Sequence, residues 1–434
     1  MNRPGQRIAV IGSGIAGLGA AWTLAQRHDV TVYEAAYRPG GHSNTVEVRA
    51  GGRTIPVDTG FIVYNPANYP NLTALFAHLG VPTRPSEMSF AVSADDGALE
   101  YAGTDLGGLF AQRSNLVRPR FLGMVGDILR FYRRAPALLD GPPTRQTLGE
   151  YLAAGRYGQA FIHDHLLPMA AAIWSCPTRT MLEFPAVSFV RFCHNHGLLR
   201  VRDRPAWRTV AGGSREYVRR LAGDLSGRIR LGTPVARIVR TPWEVEIHDG
   251  QGQVDRFEQV VLAAHGDQAL AMLGDADEGE RAVLGAFRYA ANRAVLHGDP
   301  ALMPRRRAVW ASWNYLAAGS DDQRAVSVTY WMNRLQGIDP AVPLFVSLNP
   351  LREPDPARIH ADLRYEHPIF DQAAIDAQGR LGAIQGRRRT WFCGSYCGHG
   401  FHEDGLTAGL QVAALLGASA PWLASAAPLR AVAA

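Results

Sequence analysis

One stretch near the start of the chain constrains the fold more than any other. Arg7–Ile11 (RIAVI) is a short unbroken apolar run, the pattern of a strand buried on both faces. It ends in Gly12-Ser13-Gly14-Ile15-Ala16-Gly17, and a helical pattern follows with Ile15, Leu18, Trp22 and Ala25 on one face. A second buried strand, residues 30–33 (VTVY), ends at Glu34. Strand, G-x-G-x-x-G, helix, strand and acid, in that order, is the context in which the glycine motif specifies a doubly wound α/β nucleotide site. Gly12 permits the tight turn, Gly14 lets backbone approach a pyrophosphate, and Gly17 lets the helix pack close to the strand. The helix N-terminus presents free N–H groups to phosphate. Glu34 can accept both hydroxyls of a ribose and repels a 2′-phosphate, so a nucleotide with a free ribose is expected, not NADP.

Composition removes several chemistries. All 45 basic residues are Arg, so a Lys Schiff base, a P-loop lysine and a lysine general base are excluded. The net charge of +6 comes from arginines spread along the chain, which argues against a dedicated nucleic-acid site. Four Cys in 434 residues cannot form a disulfide framework. The opening MNRPGQ leaves no room for a secretory h-region, so a cytoplasmic protein is expected. Residues 406–429 carry no charge, but Gly417 and Pro421 break the run, which reads as a buried helix and a loose tail.

The chain continues Ala35-Ala36-Tyr37-Arg38-Pro39-Gly40-Gly41-His42-Ser43. With the glycine motif before it, this resembles the R-x-G-G extension of the flavin amine oxidase and phytoene-desaturase superfamily. Val57-Asp58-Thr59-Gly60-Phe61, Ala211-Gly212-Gly213-Ser214 and Trp391-Phe392-Cys393-Gly394-Ser395 match further stations of that superfamily. The run Gly400-Phe401-His402-Glu403-Asp404-Gly405-Leu406 is similar to a bacterial subgroup of predicted NAD/FAD-binding proteins. The resemblance covers essentially the whole chain. It implies non-covalent FAD along Gly12, Ser13, Gly14, Ile15, Ala16, Gly17, Glu34, Ala35, Arg38, Gly40, Gly41, His42, Ser43, Thr59, Gly60, Phe61, Val235, Gly394, Ser395, Asp404, Gly405 and Leu406. It also implies an α/β fold: a Rossmann-type FAD-binding domain over 1–65, 206–268 and 386–420, and a discontinuous α+β substrate domain over 66–205 and 269–385. Residues 421–434 remain as a C-terminal tail.

Within that frame, 66–205 reads mainly helical, with amphipathic patterns at 72–79 and 120–139. Ser214 reads as N-cap to a helix over 215–221, and Asp404 as N-cap to the last helix. Residues 309–316 and 325–332 read as strands joined by a hairpin loop at 317–323, and Trp310, Trp313, Tyr315, Tyr330 and Trp331 make them aromatic. The rings pack a sheet face or, as a group, line an apolar pocket.

Only one dinucleotide fingerprint exists, and no C-x-x-C pair accompanies it, which argues against a disulfide reductase. His402, Glu403 and His399 are the candidates for a proton relay, with helix capping as the competing role. The helix start beside them is expected to stabilise negative charge on a reduced flavin. Many amine oxidases hold a water beside the flavin with a lysine, which this chain lacks. Asp58-Thr59-Gly60 has no second D-T-G partner, so an aspartic protease is excluded. His163/His165 and His194/His196 each lack a third ligand, and no metal is expected. Arg118 and Arg120 are candidates for steering an anionic group. The expected function is FAD-dependent dehydrogenation of an apolar substrate, a fatty-acyl or lipid chain, with peripheral membrane contact and with oxygen, a quinone or another acceptor taking the electrons. The alternatives are an amine or amino-acid oxidase, a redox-neutral flavin isomerase, and a non-catalytic flavoprotein.

Overall fold

The computed structural model describes residues 5–142, 144–174, 178–201, 203–319 and 325–423. The expected tail beyond residue 423 and the hairpin loop at 320–324 lie outside the described residues.

The chain forms a mixed α/β fold in which the strands read as doubly buried build a parallel sheet. Its order is Thr390–Phe392, Gln259–Leu262, Arg7–Ile11, Asp29–Tyr33, Ile229–Arg230. In Gln259–Leu262 every residue is buried, and in Arg7–Ile11 all but the first, as helices or loops on both faces require. A three-stranded antiparallel sheet, Val235–Arg240, Val245–Asp249 and Val254–Phe257, lies beside it in sequence.

The helix Ile15–Leu24 departs from the one-faced pattern: all ten of its residues are buried. The helix His402–Leu415 covers its other side. A Cβ on Gly409 would stand 2.3 Å from the Ala16 carbonyl oxygen, and one on Gly19 would stand 2.6 Å from Leu406 Cδ1. Small residues on both helices thus let two backbones meet, and the apolar stripe alone could not reveal a second partner.

A second large sheet has seven strands: Ile359–Ile369, Arg288–His297, Phe345–Leu348, Ala325–Trp331, Trp313–Ala318, Phe90–Ala94 and Leu99–Ala102. All neighbours are antiparallel except Trp313–Ala318 with Phe90–Ala94. Segment 66–205 is mainly helical, as expected, but it also supplies the last two strands of this sheet and the short strand Thr83–Ser86. That segment gives Pro70–His78, then strands, and becomes helical only from Leu106–Leu109 onward. FAVSA and LEYA are too short for their alternation to stand out from a helical apolar pattern. The helix Pro119–Arg134 and the 3₁₀ turn Ala135–Leu139 occupy the second predicted helix. His163, Asp164 and His165 sit in a π-helical turn, Ile162–Leu166. No described helix is long and apolar enough to cross a membrane.

Candidate active site

A cavity of about 1020 Å³ runs from the glycine loop into the space against the seven-stranded sheet. At its first end the wall is mostly main chain. Gly12 has φ +100°, and a Cβ there would meet the Ala263 carbonyl oxygen at 2.7 Å. Gly17 is tighter: its Cβ would stand 1.9 Å from the Gly12 carbonyl oxygen. Gly14 faces open space, so its backbone is bare toward the cavity. Glu34 anchors this loop, accepting from the Ser13 N–H at 2.9 Å, the Ser13 hydroxyl at 2.5 Å and the Ala36 N–H at 2.9 Å. Three of about four carboxylate acceptor sites are therefore used inside the protein.

The R-x-G-G segment folds back on the loop. The Gly40 N–H donates to the Ser13 carbonyl at 2.9 Å, and a Cβ on Gly41 would stand 3.1 Å from Gly14 Cα. Arg38 clips its own turn by donating to the Gly41 carbonyl at 2.9 Å. The Phe61 N–H donates to the His42 carbonyl at 2.8 Å, which brings Thr59, Gly60 and Phe61 to the same wall.

Sixteen of the expected cofactor residues line the cavity: Gly12, Ser13, Gly14, Ile15, Ala16, Glu34, Ala35, Gly41, His42, Thr59, Gly60, Phe61, Val235, Gly394, Ser395 and Gly405. Gly17, Arg38, Gly40, Ser43, Asp404 and Leu406 stand behind that wall and shape it. Leu406 packs on Gly19, and Ser43 bonds Tyr217 and His402.

The last helix begins at His402, with Phe401 as N-cap. Asp404 is therefore not the N-cap; its carboxylate reaches back to accept the Phe401 N–H at 2.9 Å. Ser214 does stand at the N-cap of its helix, Arg215–Asp224, as expected, but its side chain makes no capping hydrogen bond. Its hydroxyl donates to Asp58 at 2.8 Å, and Asp58 also accepts the Ser214 N–H at 2.9 Å, the Thr45 hydroxyl at 2.6 Å and the Gln336 amide at 2.9 Å. Fully buried, Asp58 ties its own hairpin to the distant Ser214 and Gln336, and burial pushes its carboxyl up to about 6. Nothing in the sequence marks it beyond its place in the Val57–Phe61 run.

The three proposed relay residues separate in space. His402 stacks on Phe61 at 3.9 Å, and its Nε2 meets the Ser43 hydroxyl at 2.9 Å and the Tyr217 hydroxyl at 3.0 Å. Burial pushes its imidazole down to about 3, so it is neutral at physiological pH. Glu403 accepts the Asn71 and Leu72 N–H groups at 2.8 and 2.9 Å, capping the helix Pro70–His78, and does not line the cavity. His399 does line it.

At the far end side chains make the wall. Ile62, Met88, Phe90, Met169, Ile173, Trp174, Phe192 and Phe401 come from segments up to 339 residues apart in number, 62 to 401. Of the aromatic group, Trp313 and Tyr330 line the cavity, whereas Trp310 and Trp331 pack edge-on at 5.4 Å and Tyr315 is buried elsewhere. His165 and His196 also reach the wall, each pushed down to about 4 by burial. No group of His, Cys, Asp or Glu among the described residues could hold a metal. Arg120 is paired with Asp164 at 2.8 Å, and Arg118 donates to the Ala98 carbonyl at 2.9 Å. Cys393 is buried and free, and burial raises its thiol.

The first end of the cavity fits a dinucleotide. A Cβ-free backbone faces it at Gly14, and His42 on the same wall has a buried Nε2 without a hydrogen-bond partner. The family model of flavin containing amine oxidoreductases matches residues 15–288, more than half the chain. Among solved structures, cyclohexylamine oxidase from Brevibacterium oxydans IH-35A is 17% identical with a TM-score of 0.71, covering 95% of this chain and 99% of that one. A CLA-producing fatty acid isomerase from P. acnes is 16% identical with a TM-score of 0.64, over 95% and 98%. Putrescine oxidase bound to putrescine is 16% identical with a TM-score of 0.65, also over 95% and 98%. The chain belongs to the flavin containing amine oxidoreductase family, and it is an FAD-dependent oxidoreductase.

Proposed function

We propose that the enzyme dehydrogenates an apolar substrate, a fatty-acyl or other lipid chain, held in the far end of the cavity. The observation that carries this reading is the apolar, aromatic wall from Ile62 to Phe401 continuous with the nucleotide end. Three carboxylates line the cavity among the described residues, and two of them are engaged. Glu34 holds the glycine loop, Glu87 pairs with Arg334 at 2.6 Å, and Glu366 stands 3.3 Å from His265. Burial lowers the His265 imidazole, so Glu366 keeps its charge, and it is the missing lysine that weighs against amine oxidation.

The residues proposed to hold FAD are the sixteen that line the wall, with Gly12–Ala16 for the phosphates. When bound, FAD supplies a hydride acceptor at N5. The protein's part is positioning: an apolar wall orients the chain and excludes water, and the helix His402–Leu415 begins at the cavity, with His402 and Gly405 of its first turn on the wall. Neutral His402, bonded to Ser43 and Tyr217, stacks on Phe61 and brings no positive charge to the site. The division into an FAD unit (1–65, 206–268, 386–420) and a substrate unit (66–205, 269–385) is part of the same proposal. It is supported by the origin of the two large sheets.

A redox-neutral isomerase would use the same cavity, and the similarity to a fatty acid isomerase keeps that second reading. Product analysis separates them. Incubation of the holoenzyme with free and esterified fatty acids and an artificial acceptor is expected to give a product lighter by two hydrogens. A product of unchanged mass with a shifted double bond would establish the isomerase, and turnover of amines alone would overturn the lipid reading.

A further inference from the structure

The helix Pro119–Arg134 buries Phe121, Met124 and Phe131, yet Leu122 and Leu129, two turns apart, stand exposed. The turn that feeds it, Arg113–Val117, adds Leu116 and Val117, the latter 79% exposed. Four exposed aliphatic side chains on one helix and its lead-in have no role in the fold, and such clusters mark contact surfaces.

The same segment is basic. Residues 106–134 contain six arginines and a single acid, Asp127. Asp127 is taken by Arg130 at 2.8 Å, and Arg120 is taken by Asp164. Among the described residues Arg113, Arg133 and Arg134 have no carboxylate partner, so their charge is uncompensated. Apolar side chains beside uncompensated arginines complement one surface in particular, an anionic bilayer, where the aliphatics enter the acyl boundary and the guanidinium groups meet lipid phosphates.

The band also leads to the cavity. Tyr132, on the same helix, lines it, as does exposed Arg204. Among the described residues Arg204 bonds main-chain carbonyls, those of Arg200 at 2.9 Å and Gly103 at 3.5 Å.

We propose that the band formed by Leu116, Val117, Leu122, Leu129 and Arg113, Arg133 and Arg134 docks the enzyme on an anionic lipid surface, with the cavity mouth at Tyr132 and Arg204 facing the bilayer. Docking goes beyond the proposed reaction and does not depend on it, because vesicle binding is measured without substrate.

The test is sedimentation of the holoenzyme with phosphatidylglycerol-containing vesicles and with pure phosphatidylcholine vesicles. Binding is expected to the anionic vesicles and to weaken with added salt. The double variant Val117→Asp, Leu129→Asp is expected to weaken it about tenfold or more, and each of Arg113→Gln, Arg133→Gln and Arg134→Gln about fivefold. Trp243→Asp, which alters a side chain 80% exposed outside the band, leaves binding unchanged. Retained flavin absorbance shows that each variant is folded. No binding to anionic vesicles, or equal loss in Trp243→Asp, overturns the proposal. So does light scattering in which the double variant converts a dimer to a monomer, since a second copy would then cover the band.

Discussion

The two ends of the cavity are built on opposite principles. At the nucleotide end the wall is backbone, left bare at Gly14 and shaped by Gly12, Gly17 and Gly60, whose positions leave no room for a Cβ. At the substrate end it is side chain, gathered from helices and sheet strands that are distant in sequence. A backbone wall depends on a few positions and tolerates almost no change in them. A side-chain wall is spread over many residues, each replaceable at a finite cost. One end can therefore stay fixed while the other is free to take different substrates.

The sharpest way to break that contrast is Gly17→Ala. Its Cβ would stand 1.9 Å from a main-chain oxygen that has no flexible end to move. Protein purified without flavin, or insoluble, is expected, read from the ratio of flavin to protein absorbance; full occupancy would show that the loop relaxes.

Trp174→Ala comes next. The ring packs on Phe192 at 4.7 Å and lines the far wall, so its loss is expected to cost about 3–5 kcal/mol of stability and to raise KM. Flavin content should stay unchanged, and loss of flavin in a variant that remains folded would erase the distinction between the two ends.

Asp58→Asn tests the tie between the ends. The folded carboxyl titrates near 6 against an ordinary value near 3.9, so the folded state binds the proton more tightly than the unfolded one. This group's contribution to stability is therefore fully present below about pH 4 and is lost as pH rises through about 6. The stability gap between wild type and Asp58→Asn should widen on going from pH 7 to pH 4, by up to about 3 kcal/mol, in paired thermal melts. A gap independent of pH would mean that Asp58 keeps an ordinary carboxylate pKa.

Glu403→Gln is the mildest. The amide oxygen still accepts one of the Asn71 and Leu72 N–H groups, so a loss of about 1 kcal/mol and an unaltered pH–rate profile are expected. A displaced limb in that profile would return Glu403 to the chemistry.

The same contrast explains what could be read from the residues alone. The nucleotide end is local: Gly12, Gly14, Gly17 and Glu34 act within one strand–helix–strand unit, so spacing alone carries their roles. The first helix was harder, because its apolar stripe reports one partner and the second arrives from His402–Leu415 across the chain. Ser214 and Asp404 occupy positions where a cap is expected, but Asp58 and Phe401 decide which groups they bond. The far wall is the least legible part. Met169, Trp174 and Phe192 look like ordinary helix core, and only the tertiary fold separates those that face the cavity from those, such as Phe189, that do not. Likewise Trp313 and Trp331 share one hairpin pattern and end on different surfaces.

The most direct test of the account is an anaerobic titration of the purified holoenzyme with long-chain fatty acids and, separately, with a polyamine panel, followed at the flavin absorption bands. Bleaching by the fatty acids and none by the amines is the predicted result. Bleaching by amines, with the flavin left oxidised by every acyl chain, would contradict it.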